Sequence, residues 1–278
     1  MKNNINWDIL VGKKILFASM PAEGHVNPLT GLAKYLQVKG ADVRWYTGAS
    51  YAPKMNKLGI ALFPFNRATD FMSADLGEIL PDREKIKGQV KKLVYDMIHV
   101  FIRQAPKFID DLKDIRKEFA FDLVVAECTF TAIPIIKKVF QVPVVGVGIV
   151  PLTETSRDLP PMGLGMTPSY TIAGKIKQQF LRFITDKVLF RQANLASYEI
   201  LDGFGVEHTR SNMFDFNVKS SDLYLQSGTP GFEYRRSDMG TNIKFIGSLL
   251  PYSSGNKFSS WSDIRLNQYE KIIVVTQG

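Results

Sequence analysis

The sequence predicts an α/β protein built on a doubly wound parallel sheet. Three features predict this fold: short apolar runs that do not alternate with polar residues, helical segments between them, and a strand–helix–strand order that repeats along the chain. Unalternating apolar runs are typical of strands that are buried on both faces. Strands and helices in alternation form parallel sheets through right-handed crossovers.

The first strand–helix–strand unit lies near the amino terminus. The first predicted strand, 14–19, is followed by a loop at 22–26. Asn27 is a favourable N-cap, and Pro28 suits the first helical position because its missing N–H has no helical partner there. Gly40 then ends the predicted helix in the left-handed conformation.

The alternation continues along the chain. The further strands are predicted at 42–47, 60–64, 122–126, 142–150, 223–225 and 243–246, and the further helices at 84–117, 133–140 and 172–201. Pro106 is expected to kink or split the longest helix. Two long loops, 66–82 and 151–169, interrupt the pattern, and loops of this kind usually carry function.

The carboxyl-terminal residues predict a domain boundary. We expect one domain over 1–252 and an interdomain linker over 253–270, which starts with a polar, serine-rich stretch. Residues 271–278 have the pattern of a buried strand that runs into a turn glycine, as at the start of an α/β unit. We therefore expect a second domain to begin at about Lys271 and to be cut off.

Composition and charge are those of a soluble protein, which we expect to be cytoplasmic. The 278 residues include 35 Lys and Arg against 27 Asp and Glu, a formal net charge of +8. The basic residues are scattered, so we expect no nucleic-acid binding. One cysteine and three histidines are too few for a disulfide framework or an ordinary structural zinc site. Neither a secretory signal nor a run of the ~20 apolar residues that span a bilayer is visible.

Two polar residues follow predicted strands. His25 lies in the loop after the first strand, and Glu127 ends the fourth. The carboxyl ends of parallel strands meet at one edge of the sheet, where open α/β folds bind ligands. The nearby helix N-terminus is expected to keep His25 neutral and available as a base, and Glu127 could orient its imidazole. A packing histidine and a solvated strand-end carboxylate are the alternatives.

Several familiar catalytic motifs are absent. The glycine pairs at 163/165 and 146/148 lack the third glycine of the dinucleotide fingerprint, because prolines 168 and 151 occupy its place. The phosphate-binding P-loop and the G-x-S-x-G elbow of α/β hydrolases are also missing. Cys128, beside Glu127, is interpreted as a small buried hydrophobic residue and not as a nucleophile.

The predicted helix that begins at Ile172 is basic and amphipathic. Its basic residues are Lys175, Lys177, Arg182, Lys187 and Arg191. Such a helix can lie on an anionic membrane surface. A helix that packs on its own domain shows the same pattern. We favour this second interpretation over peripheral membrane contact.

The opening residues resemble those of a known enzyme family. The segment 17–28, with sequence FASMPAEGHVNP, is similar to the start of UDP-sugar-dependent glycosyltransferases of the GT-B type, above all the macrolide and flavonoid glycosyltransferases. Segments 121–127, 142–144 and 242–247 also fit. The resemblance covers the acceptor-binding half of these enzymes almost end to end. It implies a Rossmann-like domain that forms the amino-terminal half of a GT-B two-domain fold.

The resemblance also implies a reaction. A hexosyltransferase of this kind moves a sugar from a UDP-sugar to a hydroxyl of a small hydrophobic acceptor, with inversion. His25 would be the general base, and Glu127 would support it as an aspartate does in many members. The UDP-sugar is a co-substrate gripped mainly by a carboxyl-terminal domain that is missing here, and neither a cofactor nor a metal takes part in the transfer. The chain alone is therefore expected to be inactive.

Further site residues follow from the resemblance. The loops 66–82 and 151–169 are expected to shape the acceptor pocket. The apolar residues predicted to line it are Phe71, Met72, Met162 and Met166. Gly24 and Asn27, on either side of His25, are assigned to a donor-proximal loop.

Two other functions remain open at this point. The chain could be the non-catalytic half of a split glycosyltransferase that docks a separate donor-binding protein, and it would then expose a large apolar face. A nucleotide-binding oxidoreductase is the third alternative, which the missing glycine fingerprint disfavours.

Overall fold

The computed structural model of this protein describes residues 7–71, 75–253 and 263–275. The strands in these ranges are β1 (Lys14–Ala18), β2 (Asp42–Thr47), β3 (Ala61–Pro64), β4 (Leu123–Glu127), β5 (Val144–Gly148), β6 (Leu223–Gln226) and β7 (Ile243–Phe245). They form a seven-stranded sheet in the order β3-β2-β1-β4-β5-β6-β7, with every neighbouring pair parallel. The predicted doubly wound parallel sheet is thus confirmed.

Helices cover both faces of the sheet. They are α1 (Glu23–Val38), α2 (Ala52–Leu58), α3 (Leu76–Ile79), α4 (Gln89–Asp96), α5 (Ala105–Glu118), α6 (Ile133–Phe140), α7 (Ile172–Ile184), α8 (Arg191–Gly203) and α9 (Met213–Ser220). The short helices α2, α3 and α9 were not predicted from the sequence, and α3 lies within the predicted loop 66–82. No helix within the described ranges is both long and apolar enough to cross a membrane.

Alternate side chains of each central strand enter two separate hydrophobic cores. Leu16 and Ala18 of β1 face the core under α5 and α6, whereas Ile15 and Phe17 face the core under α1 and α2. Burying a side chain as large as Phe17 stabilises the fold by about 1.5–3 kcal/mol. The strands are therefore apolar on both faces, which explains the unalternating runs in the sequence.

The direction of winding reverses between β1 and β4. From β1 the chain proceeds to β2 and β3 on one side, and from β4 it proceeds through β5, β6 and β7 on the other. Ala18 of β1 lies beside Ala126 of β4, so the carboxyl ends of these two strands are neighbours. A crevice opens at such a point because the helices that follow the two strands turn to opposite faces of the sheet.

Helix α1 begins earlier than the sequence signals indicate. The carbonyl of Ala22 accepts hydrogen bonds from the N–H groups of His25 and Val26, both at 2.9 Å, so the first turn starts at Glu23. Asn27 is therefore not the N-cap, and Pro28 lies inside the helix. The proline costs the helix one N–H donor there. His25 accordingly belongs to the first turn of α1 and not to a loop.

The predicted helix over 84–117 is divided. A π-helical turn at Met97–Phe101 and a 3₁₀ turn at Ile102–Gln104 separate α4 from α5. Pro106 lies in the first turn of α5, where its missing N–H costs no hydrogen bond within that helix. The expected break at this proline is confirmed.

Helix α7 does not pack in the way we expected. Its apolar side chains point outward, with Ile172 83% and Phe180 62% exposed, while Gln178 on the opposite side is only 3% exposed. The favoured interpretation, a helix that buries its apolar side on its own domain, is therefore wrong. Its inward side chains are instead polar groups that hydrogen-bond to the loop over 157–169.

The predicted strand over 271–278 is not formed by its described residues. Residues 271–275 have no strand pairing and are exposed, with Val275 at 90%. An apolar run becomes a buried strand only where neighbouring strands satisfy its backbone groups, and no described strand pairs with this segment. Residues 276–278 and most of the predicted linker, 254–262, lie outside the described ranges. The boundary over 253–270 stays a prediction.

Candidate active site

The structure brings His25 and Glu127 together at the carboxyl edge of the sheet. His25 lies in the first turn of α1, directly after β1, and Glu127 is the last residue of β4. Their closest atoms are His25 Nδ1 and Glu127 Oε1, which are 3.2 Å apart. The glutamate is fully buried, whereas the imidazole keeps a quarter of its side chain exposed. The longer side chain of glutamate therefore reaches the imidazole.

Backbone and hydroxyl donors hold the Glu127 carboxylate in place. Its Oε1 accepts from the N–H of Met20 at 3.2 Å, and its Oε2 accepts from the N–H of Thr129 at 2.6 Å. The Thr129 hydroxyl donates to Oε1 at 2.6 Å. A buried carboxylate needs donors of this kind because burial otherwise disfavours its charge.

Thr129 also determines which nitrogen of His25 carries the proton. Its Oγ1 lies 3.1 Å from His25 Nδ1, and its own proton is already donated to Glu127. Both neighbours of Nδ1 are therefore acceptors, and Nδ1 must be the donor. In the neutral imidazole this leaves Nε2 with a free lone pair. Sequence reasoning missed Thr129, although its position two residues after Glu127 was a usable signal.

The environment of His25 favours its protonated form. Burial alone would lower its pKa, but the hydrogen bond to Glu127 and the charge of that carboxylate outweigh burial. The pKa of His25 therefore lies above its ordinary value of 6.5. The expectation that the α1 N-terminus keeps this imidazole neutral is thus corrected, because a carboxylate in direct contact acts more strongly than a helix end.

An apolar cavity of about 270 Å³ lies beside this pair. Thr129 lines it, so one side chain contacts both His25 and the cavity. Its other lining residues include Phe101, Ile135, Met162 and Phe216. The cavity is close in size to the smaller pockets that bind organic ligands.

Cys128 lines the same cavity but is not a nucleophile. Burial, followed by the nearby charge of Glu127, raises the pKa of its thiol to about 12. A thiol with that pKa is almost entirely protonated at neutral pH and reacts slowly. The interpretation of Cys128 as a packing residue agrees with this environment.

A second cavity of about 300 Å³ is formed largely by the loop 151–166. Met162 lines both cavities, and Met166 lines the second one. The second cavity is more polar, since Arg236 and Glu154 are part of its wall. Arg236 is buried, and its Nε atom finds no hydrogen-bond partner among the described residues.

The loop after β3 places Phe71 in the interior of the protein. The buried carboxylate of Asp111 accepts hydrogen bonds from the N–H groups of Asn66 at 3.0 Å and Arg67 at 2.8 Å. These bonds fix the start of the loop against α5. Phe71 is 4% exposed and lines neither of the two cavities. Met72 lies outside the described residues.

The two residues assigned to the donor-proximal loop lie in the first turns of α1. Gly24 is exposed, and a Cβ atom added there would have nothing within 4 Å. Asn27 donates to the Glu23 carboxylate at 2.6 Å and accepts from Lys54 at 2.7 Å. These contacts tie α1 to α2.

In the described ranges, no group of three or more His, Cys, Asp or Glu side chains is arranged to hold a metal ion.

Comparison with known proteins identifies relatives over nearly the whole chain. The chain is 28% identical over 269 residues to 4'-demethylrebeccamycin synthase of Lentzea aerocolonigenes, which covers 96% of this chain and 63% of that protein. It is 24% identical over 276 residues to UDP-glycosyltransferase 2 of Phaeomoniella chlamydospora, covering 95% of this chain and 60% of that protein. No protein-family model matches the chain.

The fold matches solved glycosyltransferase structures. The crystal structure of the glycotransferase of kitacinnamycin aligns with a TM-score of 0.63 at 14% identity, over 91% of this chain and 55% of that one. Measured against the two curated relatives named above, this chain spans about three fifths of their length. It is a homologue of UDP-glycosyltransferases, and its sheet has the fold of GT-B glycosyltransferase structures.

Proposed function

We propose that this chain is the acceptor-binding half of a glycosyltransferase that moves a sugar from a UDP-sugar to a hydroxyl group of a small hydrophobic acceptor, with inversion. The observation that carries the proposal is the contact of His25 with the buried Glu127 carboxylate beside an apolar cavity. The name of the Phaeomoniella relative supports a UDP-sugar donor.

In the proposed reaction, His25 Nε2 accepts the proton of the acceptor hydroxyl. The hydroxyl oxygen forms a bond to the anomeric carbon of the sugar as the bond from that carbon to the diphosphate oxygen breaks, and UDP leaves. A single displacement of this kind inverts the configuration at the anomeric carbon. Glu127 stabilises the imidazolium that results, because its carboxylate already accepts the Nδ1 proton.

The two cavities support an acceptor that is mainly apolar with one polar end. The first cavity offers aromatic and aliphatic side chains next to Thr129. The second shares Met162 with it and has the polar residues Arg236 and Glu154 in its wall. A polar group at one end of the sugar acceptor would therefore find hydrogen-bonding side chains in the second cavity.

The proposal is tested with a two-domain protein in which this chain is joined to the donor-binding half of a UDP-glycosyltransferase. Transfer from radiolabelled UDP-glucose to a flavonol such as quercetin is measured. We expect His25→Ala to lower kcat by about 10²–10⁴-fold, the usual contribution of a general base. His208→Asn is the matched control, because His208 bonds to Asp202 and Thr209 and lies outside both cavities. A His25→Ala protein that transfers glucose at the unaltered rate would rule out this role.

A further inference from the structure

The outward side of α7 is a continuous apolar stripe. Ile172, Ile176, Phe180 and Phe183 follow one another at helical spacing and are all at least 60% exposed. Val188, in the π-helical turn that follows, is 71% exposed and extends the stripe. An exposed apolar surface of this length on a soluble domain marks a contact with something else.

This orientation is held by polar contacts on the inward side of the helix. Gln178 accepts from the N–H of Ser169 at 2.5 Å and donates to the carbonyl of Asp158 at 3.1 Å. Arg182 donates to the carbonyls of Leu159 and Arg157. Turning the helix over would bury its aromatic residues but leave these carbonyls without donors. The outward apolar stripe is therefore specified by the fold.

Basic residues border the stripe. Lys175 and Lys177 are exposed and lie on opposite sides of it, since they are separated by about 160° around the helix axis at 100° per residue. The Lys175 ammonium is half-exposed and lies 3.4 Å from the carboxylate of Asp158. Lys187 is exposed near its far end. The acidic residue of this segment, Asp186, is turned inward and accepts from Asn212 at 2.5 Å. The exposed charges around the stripe are thus positive.

We propose that α7 and the π-helical turn after it lie on the surface of a membrane that contains anionic lipids. An apolar stripe with bulky aromatic residues, flanked by lysines, is the arrangement by which amphipathic helices bind the interface between headgroups and acyl chains. The lysines favour this occupant over a second copy of the chain. Two such stripes in contact would bring the lysines of both copies together.

The proposed contact would place the membrane next to the second cavity. Arg182 extends from the inward side of α7 and is part of the wall of that cavity. The helix therefore separates the cavity from the surface that we assign to the membrane. This interaction surface goes beyond the proposed transfer reaction, and its test does not depend on catalysis.

The test is flotation of the purified 278-residue chain with vesicles. One set contains phosphatidylcholine alone, and the other contains phosphatidylcholine with 30% phosphatidylglycerol. We expect the chain to float with the anionic vesicles at 0.1 M salt and to dissociate as salt approaches 1 M, where the Debye length falls from about 10 Å to about 3 Å. Phe180→Ser with Phe183→Ser should weaken binding by about a hundredfold or more. Lys175→Glu with Lys177→Glu should weaken it by at least about 25-fold, roughly fivefold for each lysine.

Two matched controls separate this surface from general effects. Ile9→Ser with Val38→Ser removes exposed apolar residues elsewhere, and Lys13→Glu with Lys57→Glu makes the same change in net charge. Both should float like the unaltered chain. Failure of the unaltered chain to float with either vesicle would overturn the proposal. A second result would also overturn it: a dimer in analytical ultracentrifugation that dissociates when Phe180 and Phe183 are both replaced by serine. The stripe would then join two copies of the chain.

Discussion

The protonation of His25 depends on a carboxylate that is remote in sequence. Because Glu127 raises the pKa of His25 above 6.5, the ion pair stabilises the folded state most below that pH. This stabilisation is lost as the pH rises through the folded-state pKa, since the proton then leaves in both the folded and the unfolded chain. Proton removal from an acceptor needs the neutral imidazole, so the proposed reaction should slow as the pH falls through the same range.

This argument predicts the pH dependence of a Glu127→Gln variant in the two-domain protein described above. Without the carboxylate, burial dominates and the pKa of His25 falls, so the acidic limb of the kcat profile should move to lower pH. The maximal rate should also fall, because the imidazolium loses its partner. Thr129→Val, which removes a second contact of the pair, should lower the rate as well.

The control for this profile is Glu199→Gln, which removes an exposed carboxylate on α8. Its acidic limb should coincide with that of the unaltered protein. Circular dichroism establishes that each variant is folded before rates are compared. An acidic limb that stays in place in Glu127→Gln would show that Glu127 does not set the protonation of His25.

At the scale of elements, the glycines of β5 serve packing. A Cβ atom at Gly146 would lie 2.4 Å from Ser221 Oγ and 2.6 Å from the ring of Tyr224. At Gly148 it would lie 2.3 Å from the Gln226 side chain. Side chains of β6 and of Ser221, the residue after α9, thus occupy the space that larger residues on β5 would need. The glycine pair 146/148, which is not part of a dinucleotide fingerprint, therefore has a packing role.

Gly146→Ala should therefore lower the free energy of unfolding by about 1–3 kcal/mol, the usual cost of overpacking a core. Gly24→Ala is the matched control, because nothing lies within 4 Å of the added atom. In the first turn of α1 the control should be neutral or stabilising by up to about 1 kcal/mol. Urea denaturation followed by circular dichroism measures both. Equal stability of the two variants would contradict the packing role.

Helix boundaries show where local signals were insufficient. Asn27 and Pro28 have the residue types of a helix start, yet the first turn forms earlier because the Ala22 carbonyl finds two N–H donors. The Asn27 side chain binds Glu23 and Lys54 instead of capping. By contrast, α6 begins and ends at the two residues that were predicted to bound it.

At the scale of the whole molecule, the chain corresponds to about three fifths of its curated relatives. Proximity of the two reactants supplies much of the rate of a group transfer. We therefore expect the isolated 278-residue chain to release negligible UDP from UDP-glucose in the presence of quercetin. The same chain joined to a donor-binding half should be active. Turnover by the isolated chain at an ordinary enzymatic rate of about 1 s⁻¹ or more would contradict this expectation.

The sequence by itself determined the parallel α/β sheet and the placement of His25 and Glu127 at its carboxyl edge. Both follow from local patterns of apolar residues, which were enough wherever neighbouring strands pair with the predicted strand. Only the tertiary structure decided that Thr129 joins the pair, that Phe71 is buried and that α7 turns its apolar side outward. These features depend on which neighbours satisfy each polar group, and those neighbours lie far away in sequence. Periodicity shows that a helix has two sides, but only the hydrogen bonds of Gln178 and Arg182 determine which side faces the domain.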